Sequence, residues 1–208
     1  MSEEILINVA PMETRVAVVD NGVLQEVYIE RTEKRGLVGN IYKGKVVRVM
    51  PGMQAAFVDI GLERAAFIHA ADIVTLDENG MEHRKQAVPD IRTLVHDGKN
   101  LIVQVIKEPI GTKGARLTTH LSVSSRFLVY MPYTNHIGIS QKIESETERE
   151  RLQNIVESCL PTSNREHAGG FIVRTVAENA LAEDIQTDAL FLQKLWGDLK
   201  PELGSFSV

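Results

Sequence analysis

The 208-residue chain is poor in cysteine, in aromatic residues and in positive charge, and it has no long apolar run. The lone thiol, Cys159, excludes an intrachain disulfide framework and any cysteine-rich zinc site built by one chain. No apolar stretch approaches the roughly 20 residues that span a bilayer. The start, MSEEILINVAP, carries acids where a secretory signal carries lysines. A cytoplasmic protein without a membrane partner is expected. The net charge of -5 does not advertise a polyanion partner. There is no internal repeat and no low-complexity segment. What remains is an ordinary globular composition, 43% hydrophobic and 25% charged, long enough to bury a core.

The charge is unevenly placed. Residues 1–35 hold 4 basic and 7 acidic side chains, residues 36–119 hold 11 and 9, and residues 120–208 hold 8 and 12. Only the middle third is basic, by a margin that sampling alone also produces. An anionic partner would be drawn there.

In the first third, the apolar run Ile5–Ala10, the β-branched run Thr14–Asp20 and the alternating Val23–Glu30 predict a small antiparallel sheet. Asn21-Gly22 lies between the last two, and both residue types tolerate positive φ, so a tight hairpin is expected. The middle third reads as strands at Tyr42–Met50, Met53–Ile60, Ala65–His69, Leu101–Ile106 and Ala115–Ser122. Glycine-bearing turns separate them, and Thr75–Asp90 reads as a long exposed loop. Five short strands suit a small closed barrel without free edges. The last third mixes strands at Arg126–Met131 and Gly169–Val173 with two helices. The first helix opens on a Ser145-x-x-Glu148 capping box, carries Leu152, Ile155, Val156, Cys159 and Leu160 at helical spacing, and ends at Pro161. The second carries Leu181, Ile185, Leu192, Leu195, Trp196 and Leu199, with Pro201 and Gly204 beyond it. The fold class is therefore α+β.

Phe57 and Phe67 fall on consecutive barrel strands, each in an apolar string. Either ring could face the core. Facing outward, they would stack unpaired bases, each stack being worth about 1–3 kcal/mol. Lys43, Lys45, Arg48, Arg64 and Lys113 are then available to neutralise phosphates. Arg174-Thr175 ends a strand after a glycine pair. The pair is either an ordinary strand end or a donor set for a terminal phosphate, which an arginine fork can hold bidentately. His69, His83, His96, His120, His136 and His167 show no metal-ligand spacing, and no metal site is assigned. Asp59 and Asp72 read as turn or solvated residues, so no catalytic residue is assigned either.

GNIYKGKVVRVMPGMQAAFVDIGLERAAFIHAADI (Gly39–Ile73) resembles the RNA-binding OB domain of the ribosomal protein S-one type, in the form found in the ribonuclease E/G family. ILINVAPMETRVAVVDNGVLQEVYIER resembles that family's N-terminal strands. GTKGARLTTHLSV, LVYMP, GIS and GGFIVRT then follow in the family's order, with detail closer to the ribonuclease G branch. The resemblance implies three regions. Residues 1–35 are strands of an incomplete RNase H-like subdomain, 36–119 the OB-fold RNA-binding domain and 120–208 a 5′-sensor region. It implies RNA contacts at Phe57, Phe67 and Lys113, and a 5′-monophosphate site at Arg174, Thr175 and the backbone of Val129. Lys142 stands where the family often has arginine.

The family's members are magnesium-dependent endoribonucleases that act in rRNA processing and mRNA decay and associate as homo-oligomers. Their nuclease aspartates and the C-P-x-C zinc link are absent from this sequence. The expectation is the RNA-binding, 5′-monophosphate-sensing portion of such an enzyme, without a cofactor of its own and inactive alone. Mg2+ is expected for the full-length family enzyme. The ending DLKPELGSFSV departs from the family's continuation, as a truncated or frameshifted end would. The alternative is a stand-alone regulatory protein that binds single-stranded RNA without nuclease activity.

Overall fold

The computed structural model describes residues 3–76, 82, 88–160 and 169–205. The chain divides into two compact units, Met1–Leu37 and Val38–Val208. Most of the Thr75–Asp90 loop, Pro161, His83 and His167 lie outside the described residues.

The first unit is an antiparallel sheet of β1 (Glu3–Val9), β2 (Glu13–Asp20) and β3 (Val23–Arg31), in the order β1-β2-β3. The Asn21-Gly22 hairpin forms with φ of 48° and 79°, the two-positive-φ turn that matches strand twist. Ile5, Ile7, Val16, Val18 and Tyr28 share one face by register, and Leu6, Ala17, Val19, Leu24 and Val27 share the other. The apolar side chains of β1 and β3 are exposed.

In the second unit, β4 (Ile41–Met50), β5 (Ala55–Asp59), β6 (Ala66–His69), β7 (Asn100–Lys107) and β8 (Arg116–Thr118) close into a barrel of order β4-β5-β6-β8-β7. Small residues make the closure possible. Ala55, Ala56 and Ala66 are fully buried beside Val46, Val58, Ile68, Val103, Val105 and Leu117. A Cβ on Gly44 would collide with the side chains of Val58 and Ile60, so only glycine fits that position of β4. Two expectations shift. Pro51–Met53 forms a 3-10 turn, so β5 begins at Ala55. The pairing of β6 with β8 is parallel, and β8 stops at Thr118. A one-turn helix, α1 (Ile91–Leu94), precedes β7 and is capped by the Asp90 side chain on the Arg92 N–H.

The remaining elements are β9 (Val123–Ser124), β10 (Leu128–Met131), β11 (Ile137–Ile139), α2 (Glu146–Ser158), β12 (Gly170–Val173) and α3 (Ala182–Ser205). Their sheet has the order β11-β12-β10-β9, with β11 parallel to β12. Leu152 and Val156 of α2, and Ile185, Ala189, Leu192 and Trp196 of α3, pack with Leu128, Tyr130, Phe171 and Val173 of the sheet. Ile41 and Ile102 of the barrel pack against the same core, so residues 38–119 and 120–208 share one compact unit.

Three local readings are corrected here. Leu181 precedes α3 and is 69% exposed, while Ala189 fills the buried place on the helix. Pro201 lies inside α3, where in the helix's last residues its missing N–H removes only one ladder bond. The capping box is half made. Ser145 Oγ accepts the Glu148 N–H at 3.3 Å, but the Glu148 carboxylate turns to Arg151 and the Asn179 N–H.

Candidate RNA interface and phosphate site

The barrel's register lays out a single row of side chains. Arg48 is opposite Phe57, Phe57 opposite Phe67, Phe67 opposite Arg116, and Arg116 opposite Lys107. Directly paired residues share a face, so the row runs cation, ring, ring, cation, cation across five strands. The neighbours of the rings along the chain, Ala56 and Val58, Ala66 and Ile68, are all buried. Alternation thus places Phe57 and Phe67 on the outer side, half-buried, rather than in the barrel core.

The two rings meet edge to face, with centroids 6.1 Å apart and planes at 67°. They floor a cavity of about 740 Å³ also lined by Met53, Arg64, Ile110, Lys113 and Arg116. The turn Ile110–Lys113 forms the cavity's rim. Its backbone groups bond across it at 3.1 and 3.0 Å, and Gly111 takes a φ of 56°. Arg64 donates through Nη1 to the Gly111 carbonyl and pins that turn. A Cβ on Gly114 would strike the Ala65 carbonyl, so the turn's approach to the barrel requires glycine there.

The cations differ in availability. Arg116 is committed to Asp72, at 3.1 and 3.0 Å. Among the described residues, the side chains of Arg48, Lys107 and Lys113 make no hydrogen bond or ion pair. Lys43 and Lys45 are on β4 outside the cavity lining. Lys107, Arg116, Met53 and Ile110 were not read from the sequence as part of this face. Their membership follows from strand register and from a turn, and a linear pattern carries neither.

In the second sheet of the unit, Arg174 follows β12 directly. Its backbone N–H donates to the Phe127 carbonyl at 2.8 Å, and its Nη1 donates to the carbonyls of Ser125 and, at 3.3 Å, Arg126. The guanidinium is exposed, and among the described residues its Nε and Nη2 carry no partner. Thr175 Oγ1 lies 3.0 Å from Ser140 Oγ, which also accepts the Lys142 N–H at 3.4 Å. Ser140 thus meets Thr175 just past the ends of β11 and β12, while the Arg174 guanidinium turns the other way, to the segment between β9 and β10. Val129 lies on β10, opposite Ile172 of β12 and Ser124 of β9. Its side chain lines a separate cavity with His120, Met131, Thr134 and Ile172. As a residue of a strand flanked on both sides, it has backbone groups in the path of ladder hydrogen bonds.

The histidines and carboxylates are dispersed. His69 Nδ1 accepts the Ala71 N–H at 3.1 Å, and His120 faces Glu82 at 3.7 Å. Asp59 caps its own turn by accepting the Gly61 N–H at 2.9 Å. Burial pushes the Cys159 thiol above its ordinary pKa, which leaves it a weak nucleophile. Among the described residues, no three of His, Cys, Asp and Glu converge on a point. Among the described residues, no helix is long and apolar enough to cross a membrane.

Comparison with known proteins gives this geometry its family. Residues 37–119 match the S1 RNA binding domain, and residues 122–205 match the Ribonuclease E/G family. Ribonuclease G of Salmonella typhimurium is 55% identical over 199 residues, which is 94% of this chain and 40% of that protein. Ribonuclease G of Haemophilus influenzae is 56% identical over 197 residues, 93% of this chain and 39% of the relative. Ribonuclease E of a Nostoc species is 39% identical over 169 residues, 81% of this chain and 23% of the relative. The chain spans about 40% of the length of the ribonuclease G relatives. With an S1 domain carrying an aromatic pair between cations, and a family segment carrying Arg174, the chain belongs to the ribonuclease E/G family.

Proposed function

We propose that the chain is the RNA-recognition portion of a ribonuclease G-like endoribonuclease of the cytoplasm, acting in rRNA processing and mRNA decay. Unpaired RNA crosses the barrel along the row from Arg48 to Lys107. Phe57 and Phe67 stack on bases, and Lys113 neutralises a phosphate from the cavity rim. The observation that carries this reading is the register itself, which sets two half-buried rings side by side between cations. Planes at 67° cannot both lie parallel to one base. The two rings therefore stack on different bases.

Arg174 and Thr175 hold a 5′-terminal monophosphate, and Val129, its backbone engaged in the ladder, contributes only by holding β10 beside β12. Anchoring Nη1 on two carbonyls leaves the Nε–Nη2 edge to bind a phosphate bidentately. The Thr175 hydroxyl, with Ser140 as its hydrogen-bond partner, supplies a further donor. A triphosphate carries more charge and bulk than this donor set can satisfy. Titration of one short unpaired RNA bearing 5′-hydroxyl, monophosphate or triphosphate ends tests the assignment. Monophosphate RNA is expected to bind tightest, and Arg174→Ala to remove that preference alone. An equal loss on 5′-hydroxyl RNA would refute the phosphate site.

A further inference from the structure

The turn that holds Arg174 is itself held from behind. Asp188, on α3, accepts three hydrogen bonds through one carboxylate oxygen, Oδ2. The donors are Ser125 Oγ at 2.6 Å, the Phe127 N–H at 2.9 Å and the Leu128 N–H at 3.0 Å. Ser125 and Phe127 lie in the turn from β9 into β10, and Leu128 opens β10. The same turn supplies every acceptor that Arg174 uses, the carbonyls of Ser125, Arg126 and Phe127.

The connection is closer than a shared segment. The Phe127 N–H and the Arg126 carbonyl are two ends of one peptide group, as are the Leu128 N–H and the Phe127 carbonyl. Two continuous chains therefore run from the Asp188 carboxylate, through one peptide group each, to Arg174. One ends on its guanidinium at 3.3 Å and the other on its backbone N–H at 2.8 Å. An anion at the N–H end of a peptide group makes the carbonyl at its other end a stronger acceptor. Asp188 thus fixes the orientation of these two peptide planes and strengthens their grip on the arginine.

We propose that Asp188 is a positioning residue for the 5′-phosphate site. It acts through the Arg126–Phe127 and Phe127–Leu128 peptides to hold the Arg174 guanidinium with its Nε–Nη2 edge available, and it makes no contact with RNA. This rests on the reading of Arg174 as a phosphate ligand. The readout is the ratio of affinities for 5′-monophosphate and 5′-hydroxyl forms of one RNA. A loss of barrel structure would lower both affinities and leave the ratio untouched.

Asp188→Asn, which keeps the size and removes the charge, is expected to lower the ratio by roughly threefold or more, as for one weakened hydrogen bond to a charged group. Combining it with Arg174→Ala is expected to lower the ratio no further than Arg174→Ala alone. Asp188→Glu, which keeps the charge on a longer arm, is expected to retain more of the ratio, and it carries the test should the asparagine variant not fold. A ratio unchanged in Asp188→Asn, with the ratio lost in Arg174→Ala, would overturn the role of Asp188 and leave the phosphate site standing. A ratio unchanged in Arg174→Ala would overturn both.

Discussion

Lys113 shows how single side chains divide the work of this molecule. Its ammonium stands at the rim of the aromatic cavity, on a turn pinned by Arg64, and the pin fixes where the charge is presented. A lysine that neutralises one phosphate of a single strand releases its counterions. Lys113→Ala is therefore expected to flatten the salt dependence of RNA affinity by about 0.7 units of log K per log salt, measured by titration at several salt concentrations. Glu148 does structural work instead. Its hydrogen bonds to the Arg151 guanidinium, aided by the Asn179 N–H, hold its pKa down at about 2 from the ordinary 4.5. A carboxylate depressed in the folded state contributes stability above its unfolded pKa and loses it as pH falls through the folded value. The unfolding midpoint is thus expected to drop between pH 4.5 and about 2, and Glu148→Gln to show less of that drop.

At the scale of elements, one buried amide ties the barrel to what precedes and follows it. Gln104, 7% exposed on β7, donates to the carbonyls of Gly39 at 2.9 Å and Ser122 at 2.8 Å, and accepts the Ser122 N–H at 2.9 Å. Gln104→Leu would leave three backbone groups unpaired next to the core. A loss of about 2–4 kcal/mol is expected in denaturant unfolding, against less than about 0.5 kcal/mol for substituting an exposed residue such as Gln153. The elements also show what a linear pattern carries. The Asn21-Gly22 hairpin and the five barrel strands were legible because turn chemistry and period-two alternation are local. The parallel pairings of β6 with β8 and β11 with β12 were not, since partners far apart in sequence leave no local mark. Ala189 was missed on α3 because a helix buries alanine where a larger neighbour fills the space, and a hydrophobic pattern weights it lightly. The half-made capping box has a similar cause. Arg151, one turn on, competes for the Glu148 carboxylate with two hydrogen bonds of 2.7 Å.

At the scale of the whole molecule, the two compact units differ in how they bury apolar surface. The second unit encloses its core, whereas Ile5, Ile7, Val9, Leu24, Val27 and Ile29 of the first are all more than half exposed. Amide hydrogen exchange is expected to be faster in β1 and β3 than in β5 and β7, and equal protection would contradict this account. The candidate site divides in the same way between what a sequence holds and what folding adds. The aromatic pair and Arg174 were nameable from motifs, but the row from Arg48 to Lys107 exists only once the barrel closes. That row is the central claim, and Phe57→Leu tests it most directly, because leucine keeps apolar bulk and removes the ring face. With an unpaired RNA of about ten nucleotides, its affinity is expected to fall by about 1–3 kcal/mol while the barrel's unfolding midpoint barely moves. Unchanged affinity in a folded Phe57→Leu protein would contradict it.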